Sequence, residues 1–239
     1  MTATTTKLNT HVMTLHAHEV VTFFEKYNLP IPEKITNAIE RAGKVHERWS
    51  ALRGDVTRLK ATDWLADDYQ DRLEKLVIAE AVSKHVTHGY GPMIDALKRS
   101  TTTAVRDTAD ELINSLTEFY LANEDFFMAQ PGPHPFNTIR ADFVRVHDRI
   151  MSTNGTYPHE LHGREWEDHV RFVWTPEQVT ELSWARPAGS LKIKDNLSID
   201  AYAKKVGAQF QLAKSYTEVN QRITLATAHR KGLPGERRN

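Results

Sequence analysis

The densest group of side chains able to do chemistry lies between residues 159 and 169: His159-Glu160-Leu161-His162, then Glu165, Asp168 and His169. Two histidines three apart share one face of a helix. Imidazole with carboxylate is also the natural ligand set for zinc or another divalent ion in a chain without cysteine. His159, His162, Glu165 and His169 are therefore the candidate metal ligands, with Glu165 or Asp168 as ligand or base. The spacing is not that of the metalloprotease motif, which places two histidines four apart with the catalytic Glu between them. Pro158 and Gly163 favour a loop, and a solvated polar loop outweighs a metal site because short histidine matches arise often by chance. No organic cofactor is expected.

Other matches are weaker. His11, His16 and His18 sit among Val12, Leu15, Glu19 and Phe23, whose spacing is that of an amphipathic helix over about Thr10 to Tyr27. His46 falls on the apolar stripe of a longer helix, where a core or interface contact is expected rather than a ligand. Arg53-Gly54-Asp55 spells an attachment tripeptide, but inside a predicted helix instead of an exposed loop tip. Gly89-Tyr90-Gly91 lacks the third glycine of a dinucleotide loop, and neither a Gly-Lys-Ser/Thr phosphate loop nor a Gly-x-Ser-x-Gly elbow occurs. With no cysteine, disulfides, thiolate metal sites and cysteine nucleophiles are excluded.

Charge is sorted along the chain. The total is zero, yet residues 107–181 hold fourteen Asp/Glu against five Lys/Arg, and residues 186–239 hold eleven Lys/Arg against four Asp/Glu. Such a −9/+7 division is a complementarity that either folds the basic tail onto the acidic middle or joins two molecules. Lys204, Lys205, Lys214, Arg230 and Lys231 are the candidate interaction residues of that tail, for an acidic protein surface or, as the alternative, for phosphates of a nucleic acid.

The elements that must position these groups are mostly helices. Pro30 and Pro32 precede a stripe of Ile35, Ile39, Ala42, His46, Trp49, Leu52, Val56 and Leu59, which predicts a helix over about Glu33 to Lys60. A second helix, capped by Thr62 or Asp63, is expected to stop at Gly89-Tyr90-Gly91-Pro92. A third runs from Met93 to about Asn123, with the three threonines after Ser100 as a weak point. Asn137 to Met151 predicts a shorter helix. Val170 to Trp174 reads as a strand, paired in a hairpin with Leu191 to Ile193, and Thr175-Pro176-Glu177-Gln178 as a capping box opening a short helix. Ser198 caps a final helix running unbroken towards Gly232, with a narrow, zipper-like stripe.

The expected fold is predominantly all-α: an antiparallel three-helix region, a mixed connector and a long C-terminal helix. The expected organisation is an N-terminal helical segment (1–30), a helical bundle (31–128), a loop-rich connector (129–190) and a basic C-terminal helix and tail (191–239). No stretch approaches the roughly 20 apolar residues of a membrane span, and the first residues show no secretion signal, so a cytoplasmic protein without membrane contact is expected. Long amphipathic helices, divided charge and the lack of catalytic motifs point to a non-catalytic structural or interaction protein. Its partner would be another protein or itself as a homo-oligomer, in the manner of phage or mobile-element assembly proteins. The alternatives are a metal-dependent enzyme using residues 159–169 and a nucleic-acid accessory factor using the basic tail.

Overall fold

The computed structural model describes residues 13–60, 69–128, 136–154, 169–185 and 197–230. They form a predominantly helical fold with one small antiparallel sheet. The helices are α1 (Leu15–Lys26), α2 (Glu33–Lys60), α3 (Tyr69–Asp107), α4 (Ala109–Ala122), α5 (Glu124–Met128), α6 (Phe136–Ser152), α7 (Pro176–Ala185), α8 (Ile199–Lys205) and α9 (Tyr216–Arg230). The strands are β1 (Phe172–Val173) and β2 (Gln209–Phe210). No helix among the described residues is long and apolar enough to cross a membrane. The chain divides into two compact units, Met1–His18 with Pro32–Val105, and Glu19–Ile31 with Arg106–Asn239.

The first unit is built on α2 and α3, about 42 and 58 Å long at 1.5 Å per residue. Ile35, Ile39 and Ala42 are buried at the start of α2, as are Thr101, Ala104 and Val105 at the end of α3. Further along, Trp49 lies against α3 so closely that a Cβ at Gly89 would meet its ring at 3.3 Å. One turn away, His46 Nε2 is 3.3 Å from the Tyr90 hydroxyl, the contact expected of a histidine on that stripe. Thr14, just before α1, shares a 2.7 Å hydroxyl–hydroxyl bond with Thr102.

The expected stop at Gly89–Pro92 does not occur. Helix α3 continues through Pro92, which has no N–H for the carbonyl of residue 88, and through the threonines after Ser100, ending only before Thr108. Packing explains the difference. The close approach of Trp49 exploits the missing side chain of Gly89, and Thr101 is buried, its hydroxyl satisfied within the helix by the Lys98 carbonyl, so packing overrides poor local propensity.

In the second unit α4 packs on α6, α5 on α6 and α8, and α9 on α7. Its core is aromatic: Phe23, Phe24, Phe119, Tyr120, Phe127 and Phe143 are all buried. Tyr120 stacks on Phe210 at 4.1 Å between centroids, and Phe127 meets Phe143 edge-on at 5.0 Å. A second cluster gathers Met151, Val170, Ala213, Tyr216, Val219 and Ile223. The expected capping box is present: Thr175 N–H donates to Gln178 Oε1 at 2.9 Å, and Gln178 N–H to Thr175 Oγ1 at 3.3 Å.

Two expectations need correction. Of the strand expected over Val170–Trp174 only Phe172–Val173 is extended, with residues 169–171 helical, and β1 pairs with β2, Phe172 opposite Phe210 and Val173 opposite Gln209. The pairing extends through Gln211 N–H to the Arg171 carbonyl and Ala213 N–H to the Val170 carbonyl. Residues 191–193, the expected partner, lie outside the described residues. The C-terminal run is also divided. After α8, Gly207 adopts φ +70°, and Ala208 N–H returns to the Ala203 carbonyl at 2.9 Å, a helix-ending motif that turns the chain into β2 before α9 begins. Asn28 performs the same left-handed ending for α1, with Leu29 N–H bonded to the Phe24 carbonyl.

Candidate functional site

The most concentrated polar chemistry among the described residues centres on Asp200, whose side chain is fully buried. Asp200 opens α8, positioned by Ser198. The Ser198 hydroxyl oxygen accepts from Ala201 N–H at 3.1 Å and its proton is directed to the Phe127 carbonyl at the end of α5. Three donors from three other segments converge on the carboxylate. Tyr120 of α4 donates to Oδ1 at 3.0 Å, Arg140 of α6 donates through Nη2 to Oδ2 at 2.7 Å, and Arg171 beside β1 donates through Nε to Oδ1 at 3.1 Å and through Nη2 to Oδ2 at 3.3 Å. Arg140 also donates to the Phe127 carbonyl at 2.7 Å.

Burial alone pushes the Asp200 carboxyl upward, but the guanidiniums of Arg171 and Arg140 reverse this and hold it below the ordinary carboxylate range. Burial, reinforced by the Asp200 charge, pushes the Tyr120 phenol far upward, so it remains a donor. Asp200 is thus a fixed anion with both oxygens occupied. It braces four segments and does not serve as a proton acceptor at neutral pH.

A second buried group surrounds the strand pair. His147 is buried in α6, with Nε2 2.7 Å from the Ala213 carbonyl. Burial lowers it to about 4, helped by the Arg171 and Arg222 charges and opposed by that hydrogen bond, so the ring is neutral and Nε2–H is the donor. Arg222 of α9 donates to the His169 and Gln211 carbonyls at 3.1 and 2.8 Å and to Glu218 at 2.6 Å.

Of the candidate metal ligands, His159, His162 and Glu165 lie outside the described residues, as does Asp168. His169 is buried, and burial together with Arg222 lowers it to about 4. Among the described residues no group of three His, Asp or Glu side chains is placed to hold a metal ion. In the basic tail Lys204 pairs with Glu124 at 2.8 Å and Lys214 with Asp110 at 2.7 Å, so at these two places it meets the acidic middle within one chain. Lys205 is exposed, Arg230 closes α9, and Lys231 lies outside the described residues.

Sequence reasoning missed Asp200, Arg140 and Arg171. The basic segment supplies the anion and the acidic segment the cations, the reverse of their net charges, so no count along the chain could find them. The helix end at Gly207 was missed too, although a glycine directly after Lys204-Lys205-Val206 has the composition of such an end. The chain matches no protein-family profile, no curated protein and no solved structure, so no role passes to these residues from a relative.

Proposed function

We propose that this chain is a non-catalytic structural protein that works by self-association, through the long helices of its first unit. One observation carries the reading: on α3, a 39-residue helix, Val77 is 59% and Ile78 65% exposed side by side. Among the described residues the other large exposed apolar side chains, Leu15, Leu121, Val144 and Leu225, stand one to a helix, which is ordinary for a protein surface. The Asp200 cluster supports the same view, because its charged groups are occupied with one another. Sedimentation velocity of the full-length protein across a hundredfold concentration range, at low and high salt, tests the proposal. Growth in mass with concentration is expected, and a monomer under every condition contradicts it.

A further inference from the structure

Resting on that reading, we infer that the partner is a second copy of this chain, docked antiparallel against the Gln70–Lys84 side of α3. Among the described side chains the exposed positions here are Gln70, Asp71, Glu74, Lys75, Val77, Ile78, Ala81 and Lys84. Five of them, Gln70, Glu74, Val77, Ala81 and Lys84, advance by four, three, four and three residues, the step that keeps side chains on one seam of a two-helix contact. The seam is acidic at its start and basic at its end, with its apolar residues between.

That order is self-complementary under a two-fold axis. When the second α3 runs antiparallel with the axis beside Ile78, each Glu74 faces the other copy's Lys84 and each Val77 faces the other copy's Ala81. Two ion pairs then flank a continuous apolar centre. A parallel copy would instead set Glu74 against Glu74 and Lys84 against Lys84, so charge selects the direction. Glu74 and Lys84 have no ion-pair partner among the described residues, which leaves both for the second copy. The small Ala81 opposite Val77 lets the helix backbones approach closely. A seam of fifteen residues spans about 21 Å. Contacts of this size belong with weak interfaces of under about 1,200 Å², so the dimer is to be sought at high protein concentration.

The cysteine-free sequence makes the register directly testable by single-cysteine variants of the full chain under mild oxidation. Ile78→Cys, next to the axis, should cross-link with itself. Glu74→Cys and Lys84→Cys should each stay unlinked alone and cross-link when mixed, because only the mixture brings the two positions face to face. Leu225→Cys serves as the control for random collision. In sedimentation, the charge reversals Glu74→Lys and Lys84→Glu should each raise the dissociation constant by about fivefold or more, and the double reversal should restore it. All these positions are exposed, and unchanged circular dichroism and melting confirm an intact fold. Cross-linking at Ile78 no faster than at Leu225, in a protein that still grows in mass with concentration, overturns this face and register while leaving self-association standing. A protein that neither cross-links nor grows in mass overturns both.

Discussion

The Asp200 cluster and the outer side of α3 use charge in opposite ways. Around Asp200 the charges are buried and matched to one another by hydrogen bonds from three segments, so they specify how one chain folds. On α3 between Gln70 and Lys84 they are exposed and separated by apolar residues. Buried charge must be paired where it stands, whereas exposed charge costs little to leave open and can be matched by another molecule. On the proposed reading, the second unit supplies stability and the first the surface for association.

The largest expected effect tests the stabilising side. Asp200→Ala should lower unfolding stability by about 3–5 kcal/mol, because it leaves two guanidiniums and the Tyr120 hydroxyl without their shared acceptor. Denaturant unfolding measures it; a cost below about 1 kcal/mol would mean that the cluster braces nothing. Leu112→Ala, at a fully buried position, should cost about 3 kcal/mol from lost transfer energy and the cavity left behind. Trp49, only partly buried, should cost less on truncation, and equal losses would erase the distinction between the two helical environments.

Acid should act on the second unit through its histidines. His147 and His169 fall from 6.5 when unfolded to about 4 when folded, so the unfolded chain binds protons first. Stability is full above pH 6.5 and is lost as pH falls towards 4, by up to roughly 3 kcal/mol per histidine. Below that range, protonation of Asp200 removes more, since its folded value is depressed. His147→Gln should flatten the upper part of this profile; a stability that does not change between pH 7 and 4.5 contradicts the assignment.

Glycines give the smallest effects, with opposite signs in the two units. Gly207→Ala should cost about 1 kcal/mol because φ +70° strains any side chain, while Gly43→Ala, inside α2 with nothing within 4 Å of an added Cβ, should gain up to about 1 kcal/mol. Thermal melting of both variants checks the pair.

The sequence made the helices legible where one apolar stripe faces one partner. The predicted Glu33–Lys60 coincides with α2, and the capping box at Thr175 marks the start of α7. It was misleading where local preference and packing disagree. Gly89, Gly91 and Pro92 look like a stop, yet α3 runs through them, with the Trp49 ring packed in the space that Gly89 leaves. The strand partner was invisible for another reason: Gln209–Phe210 fits the helical stripe as well as a strand, and only the ending at Gly207 decides it. Asp200 was hidden because its neighbours come from 29, 60 and 80 residues away.

Association through α3 is open to a direct test. Sedimentation equilibrium of the wild-type chain beside Val77→Glu/Ile78→Glu, at low salt and high concentration, tests it most directly. Expected are a wild type that shifts towards dimer as concentration rises, a variant that stays monomeric, and melting curves that agree at concentrations where both are monomeric. A variant that dimerises as readily as the wild type, or a wild type that never leaves the monomer, would contradict it.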